Sequence, residues 1–275
     1  MDLRHDPYAL AHTAAAQLTA RAGVDKFDIA IVLGSGWQQA AETLAPIACE
    51  IPTSDLPGFH APSVQGHKGR IMSIEFAGKR IALVAGRVHL YEGHPTADVV
   101  HPVRTVIAAG AETVILTNAA GGIDPNRGPG TMMLISDHIN LTATSPMEGA
   151  SPPEGYGSRF VDLSDVYSRE TRAAIREVRP DLTEGVYVGF RGPHYETPAE
   201  IKMAKAMGGD LVGMSTVLEA IAARHLGARV IGFSLVTNLA AGVSPTPLNH
   251  LEVLEAGQKA AAGMADLFRD ILPCL

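Results

Sequence analysis

The stretch Gly86-Arg-Val-His-Leu-Tyr-Glu-Gly-His94 places a guanidinium, an imidazole and a phenol at Arg87, His89 and Tyr91, at alternate positions. It follows residues 80–85, an apolar run that reads as a buried strand. If the chain stays extended past Gly86, the three side chains share one face, because successive strand residues point to opposite sides. Such a wall suits an anion with a sugar beside it, and ligands of open α/β sheets collect at strand ends. The other use for these residues is an exposed polar loop.

More polar groups sit where apolar runs stop. Gly34-Ser35-Gly36 follows a strand expected over residues 28–33 and offers backbone N–H groups, a hydroxyl and a helix N-terminus, all of which favour an anion. It is not a P-loop, since no Gly-Lys-Ser/Thr follows, and Gln39 occupies the third glycine position of a dinucleotide fingerprint. Leu33 and Trp37 stand where a hydrolase elbow around Ser35 would need glycines. Thr216 with Glu219 forms a capping box, which puts Met214 and Ser215 at a helix N-terminus. Thr197-Pro-Ala-Glu200 forms another, with proline at the first helical position. Glu196 lies just before that cap, where the helix dipole favours its charged form. Asn118-Ala-Ala-Gly-Gly122 permits close backbone approach to a ligand, and Thr237 and Asn238 end another apolar run. Among eleven histidines, His89, His94 and His101 do not match H-E-x-x-H, and Pro95 breaks any shared helix face, so no metal site is expected.

The elements that must hold these groups alternate between strand and helix. Helices are expected over residues 8–22, 37–44, 95–110, 165–178, 197–207, 216–226 and 251–271. Strands are expected over 28–33, 113–117, 185–190, 211–213 and 229–237, with a hairpin of 71–76 and 80–85. The order implies a single α/β domain over residues 1–275, with a central mixed, largely parallel twisted sheet flanked by helices. Residues 144–159, rich in proline and glycine, form a long loop. The chain has 275 residues, 46% hydrophobic and 19% charged, enough for an ample core. A net charge of -7 argues against a nucleic-acid partner and requires any cationic contacts to be local. Two cysteines make no disulfide scaffold. With no apolar leader in residues 1–7 and no apolar run of about 20 residues, a soluble cytoplasmic protein is expected.

Taken together, these segments resemble the trimeric, low-mass purine nucleoside phosphorylases. The matching pieces are Leu33-Gly-Ser-Gly36, Gly66-His-Lys-Gly69, Gly86-Arg-Val-His-Leu-Tyr-Glu-Gly93, Thr117-Asn-Ala-Ala-Gly-Gly122, Ser136-Asp-His-Ile-Asn140, Gly192-Pro-His-Tyr-Glu-Thr197, Val212-Gly-Met-Ser-Thr216 and Ser234-Leu-Val-Thr-Asn238. They occur in family order over nearly the whole chain. The resemblance implies reversible phosphorolysis of inosine and guanosine, or their deoxy forms, to free purine and sugar 1-phosphate. It implies that Ser35, His67, Arg87, His89, Ser215 and the backbone N–H of Ala119 hold phosphate. Tyr91 and His250 would bond the sugar hydroxyls, with Met214 beneath the sugar. Tyr195 and Phe160 would pack base and sugar, Phe160 coming from the neighbouring subunit of a homotrimer. Glu196 would accept from N1–H of a 6-oxopurine, and Asn238 would donate to O6 and accept from a protonated N7. Asn238, Glu196 and His89 are then the residues expected to act on the reaction itself. The resemblance implies no metal and no organic cofactor; phosphate is a co-substrate. A 5′-methylthioadenosine or adenosine phosphorylase, which would carry aspartate in place of Asn238, and a non-catalytic purine-binding protein are the alternatives.

Overall fold

The computed structural model describes residues 6–61, 69–149, 151–244 and 248–275, apart from the side chains of His250 and Leu251. The expected His67 lies outside the described residues, as does the side chain of His250. Helix α1 (Pro7–Ala22) starts where Asp6 accepts from the N–H groups of Tyr8 and Ala9, and it ends at Gly23 in the left-handed region. Strand β1 (Ile29–Leu33) is buried along its length. Its side chains alternate between two cores. Ala30 and Val32 join the core beneath α1, while Ile29, Ile31 and Leu33 join the opposite one.

The elements continue with α2 (Gln38–Glu42), β2 (Ile47–Pro52), β3 (Arg70–Phe76), β4 (Lys79–Ala85), α3 (Thr96–Val99), α4 (His101–Ala108), β5 (Thr113–Gly122) and β6 (Met132–Asn140). Then come α5 (Arg169–Val178), β7 (Thr183–Gly189), α6 (Pro198–Ala206), β8 (Leu211–Gly213), α7 (Val217–His225), β9 (Arg229–Leu239) and α8 (His250–Ile271). Helices α1, α4 and α7 cover one core; α2, α5 and α8 cover the other. No described helix is long and apolar enough to cross a membrane.

The sheet has nine strands in the order β2-β3-β4-β1-β5-β8-β7-β6-β9, and β9 also pairs with β5. Strands β5, β8, β7, β6 and β9 therefore close into a ring, and β1, β4, β3 and β2 extend from it as an open arm. The expected mixed, twisted sheet is present; its closure is not visible in local sequence. β5 is long enough to pair with β1 of the arm and with β8 and β9 of the ring, so Asn118–Gly122 continues strand β5 beyond Thr117, where the expected strand stops.

Other differences have local causes. Residues 95–110 form two helices, α3 and α4, with Val100 at the break and Pro102 in the first turn of α4. Strand β4 ends at Ala85, because Gly86 takes φ +96° and turns the chain. Leu90–Glu92 is a short 3₁₀ turn, so Arg87, His89 and Tyr91 do not lie along one extended strand.

Candidate active site

The parallel pairing of β1 with β4 sets Leu33 opposite Ala85, so Ser35 and Arg87 leave the sheet side by side. The loop after β1 is stitched to β5. Gly34 N–H donates to Thr117 Oγ1 at 3.0 Å, and Trp37 Nε1 donates to the carbonyl of Asn118 at 2.8 Å. A Cβ on Gly34 would stand 2.4 Å from the Thr117 carbonyl oxygen, so only glycine allows this approach. Gly36 meets Gly257 of α8 as closely: a Cβ on Gly257 would lie 2.5 Å from the Gly36 Cα. Helix α2 has only five residues and begins at Gln38, which weakens the expected helix-dipole contribution at Ser35.

One cleft gathers Ser35, Arg87, His89, Tyr91, Ala119, Tyr195, Glu196, Met214, Ser215 and Asn238. Ten expected site residues from six chain segments thus meet, although the strand geometry proposed for three of them is absent. The His89 and Tyr91 rings stack in parallel, 4.7 Å apart and 10° from coplanar. Phe160 does not line this cleft and is 89% exposed.

Arg87 is buried, and its Nη1 donates to Glu219 Oε2 at 2.5 Å. Its Nη2 donates to the carbonyl of Thr117. Sequence patterning had given Glu219 only its helix-capping task, which it also performs: its Oε2 accepts from Thr216 N–H at 2.9 Å. One carboxylate thus ties the guanidinium to the start of α7. His89 Nδ1 lies 2.9 Å from Glu92 Oε1. An ionised carboxylate only accepts, so Nδ1 carries the proton, and Nε2 then donates to an anion only as imidazolium.

Ser215 is aimed by strain. Thr216, a buried non-glycine residue, adopts φ +72° and ψ -50°, and Val217 N–H bonds back to the Ser215 carbonyl at 2.7 Å. This is a γ-turn of the positive-φ kind, which costs of order 1–3 kcal/mol and persists only where surroundings impose it. Asn118 Nδ2, donating to Thr216 Oγ1 at 2.9 Å, supplies part of that restraint. The hydroxyl of Tyr187 accepts from Ser215 N–H at 3.3 Å.

On the other side of the cleft, a bulge directs Asn238. Ala120 pairs with Val236, but Gly121 pairs with Asn238, so Thr237 is an inserted residue. Such a bulge re-aims the side chains beside it. Thr237 Oγ1 then donates to Asn238 Oδ1 at 3.0 Å, while Asn238 Nδ2 donates to the Leu239 carbonyl at 3.2 Å. Glu196 is buried, and loss of solvent pushes its carboxyl above the ordinary value, with Glu200 adding to the rise. Burial here works against the helix dipole, which favours the charged form at this position before α6. Burial likewise pushes the Tyr91 phenol up to about 12, so it is a neutral hydrogen-bonding group at neutral pH. Gly192, at φ +71°, leaves room for its neighbours: a Cβ would stand 2.4 Å from Met214 Sδ and 3.1 Å from the Tyr91 ring. Val212 and Val253 complete the apolar lining; in the sequence they look like any other core valine.

The closed side of the sheet thus sets Ser35, Arg87, His89 and Ser215 in one cleft with Glu196 and Asn238. Residues 28–273 match the family model described as the phosphorylase superfamily. A Cellulomonas protein named purine nucleoside phosphorylase is 55% identical over 271 residues, covering 97% of this chain and 93% of that one. The Schistosoma mansoni purine nucleoside phosphorylase in complex with adenosine superposes with TM-score 0.88 at 33% identity, covering 96% of each chain. The same enzyme in complex with inosine gives 0.87 at 32% identity, over 97% of this chain and 96% of that one. The chain belongs to the phosphorylase superfamily, among its purine nucleoside phosphorylases.

Proposed function

We infer that this protein catalyses reversible phosphorolysis of purine nucleosides, with 6-oxopurines preferred. The observation that carries this reading is the single cleft in which Ser35, Arg87, His89, Ala119 and Ser215 face Glu196 and Asn238. A phosphate held by the first group stands beneath C1′ of a nucleoside whose base reaches the second. The glycosidic C1′–N9 bond breaks with its electron pair going to the purine, and a phosphate oxygen forms the new bond to C1′. Bound phosphate stabilises the oxocarbenium-like sugar and is already near attack geometry. Asn238 answers the charge growing on the base by donating to O6 and accepting from a protonated N7. Tyr91 and Met214 hold the sugar, with His250 as a further sugar contact; Tyr195 packs the base. His67 adds to the phosphate site. No metal or organic cofactor takes part in this scheme.

The exposed Phe160 supports a trimer in which it completes a neighbour's site. A cytoplasmic location accords with nucleoside salvage. The first test is inosine cleavage with and without phosphate. Hypoxanthine release is expected only with phosphate; release that ignores phosphate, or none at all, would sink the reading.

The raised pKa of Glu196 adds a sign-defined prediction. Its carboxylate accepts from N1–H of a 6-oxopurine, whereas adenine presents an acceptor at N1 and needs the protonated acid as donor. Because burial moves the carboxyl upward, protonation sets in at higher pH than for an ordinary glutamate. As pH falls through that range, kcat/KM for inosine should fall and the adenosine-to-inosine ratio should rise. Glu196→Gln should remove this dependence of the ratio. A ratio independent of pH in the wild type would refute the assignment.

A further inference from the structure

Outside the cleft, metal-ligating atoms of His60, His94 and Asp98 all lie within 4.8 Å of one another. His60 Nε2 is 2.9 Å from Asp98 Oδ2. The His60 and His94 rings face each other with centroids 4.8 Å apart and planes 34° apart. The spacing of His94 from His89 and His101 gives no sign of this grouping, because His60 comes from a distant turn and Asp98 from helix α3.

The backbone beneath these side chains is well tied down. His101 Nε2 donates to the Pro57 carbonyl at 2.9 Å, and the Phe59 ring packs edge-on against the His101 ring. Gly58, at φ +79°, lets the turn come this close; a Cβ there would stand 2.7 Å from His101 Nε2. The turn leading to His60 is thus anchored on α4. Asp98 belongs to α3, immediately before α4, and its N–H bonds to the Pro95 carbonyl at 3.0 Å. His94 ends the same loop that carries Arg87, His89 and Tyr91.

Two imidazoles and a carboxylate suit zinc and similar transition-metal ions, whereas magnesium and calcium prefer oxygen ligands alone. Bonds of about 2.0–2.2 Å place two ligand atoms of one tetrahedral ion roughly 3.3–3.6 Å apart. The His60–Asp98 pair, now 2.9 Å apart as an ion pair, needs to open by only about 0.5 Å to admit an ion, and rotation of the half-buried His94 ring closes the third side. We propose that His60, His94 and Asp98 form a site for Zn²⁺ or a similar divalent transition-metal ion, clamping the loop beyond Tyr91 to the turn at 57–60. The ion would lie beside the catalytic cleft and take no part in the chemistry there.

Chelator-stripped full-length protein titrated with Co²⁺ should bind one ion per chain and show a visible d–d absorption band. Calorimetry with Zn²⁺ should give the same stoichiometry, Zn²⁺ should raise the thermal midpoint, and Mg²⁺ should do neither. His94→Ala and Asp98→Asn should each weaken Zn²⁺ binding at least about tenfold, and the His60→Ala/His94→Ala pair should abolish the Co²⁺ band. Metal-free phosphorolysis by each variant checks that it is folded. Lack of saturable Co²⁺ and Zn²⁺ binding in the wild type, or undiminished binding in the double variant, overturns the proposal.

Discussion

Replacing Glu219 with alanine is expected to destabilise the protein by about 3–5 kcal/mol, the range found when one partner of a buried ion pair is removed. Arg87 and Glu219 are both 2% exposed in their side chains, so water cannot take over the lost interaction. The same substitution frees Thr216 N–H, which Glu219 now holds at the strained turn before α7. Arg87 and Ser215, the two proposed phosphate ligands at this junction, would lose their placement together. KM for phosphate should therefore rise at least about tenfold, some 1.4 kcal/mol, while KM for inosine changes little. Phosphate at a given concentration should also add less stability to the variant than to the wild type, since stabilisation by binding to the native state falls as the dissociation constant rises. Glu219→Gln keeps an acceptor of the same shape and should recover much of the phosphate KM. Urea unfolding with and without phosphate, beside steady-state kinetics, measures all of these. A loss below about 1 kcal/mol, at the level of surface pairs, or a parallel rise in both KM values would show that Glu219 does not position Arg87.

That pairing also shows where sequence reading stops. Arg87 and Glu219 are separated by 132 positions, and each has a sufficient local explanation, one as an anion ligand and the other as a helix cap. Only the tertiary fold makes them partners. Strands buried on both faces, such as β1 and β4, were legible because burial demands unbroken apolar runs. β2 was not, since it is mostly exposed and carries Cys49 and Glu50. β6 was not either: its second half is polar, and its register with β7 shifts between Ile135 and Asp137. In the site, residue chemistry was easier to read than residue geometry. Arg87, His89 and Tyr91 do meet in one cleft, but through a turn at Gly86 and a 3₁₀ segment instead of an extended strand. The bulge at Thr237 leaves no local mark, because it arises from how β9 pairs with β5.

Asn238→Asp is expected to lower kcat/KM for inosine by about 10²–10³, the loss seen when one donor to a developing charge is removed. The amide is the only group in that side chain that can donate to O6, and a carboxylate would face the same oxygen with a second acceptor. Adenine reverses the requirement at this position: its N6 amino group donates, and an aspartate accepts. The adenosine-to-inosine ratio of kcat/KM should therefore rise at least about tenfold, within what a site built on hydrogen bonds can discriminate. The surroundings favour a clean exchange on one side and resist it on the other. Thr237 Oγ1 would still donate to one carboxylate oxygen, as it now does to Asn238 Oδ1. The other oxygen would replace Nδ2 opposite the Leu239 carbonyl, where two acceptors repel. That repulsion pushes the carboxylate toward the base, where it accepts from the adenine N6 amino group and repels O6 of hypoxanthine. Thr237→Val, which removes the donor that orients Asn238, should lower kcat for inosine without raising the adenosine ratio. The two variants together separate orientation from donor–acceptor identity. An unchanged ratio in Asn238→Asp would mean that base discrimination resides elsewhere, with Glu196, the carboxyl group lining the same cleft, the next to test.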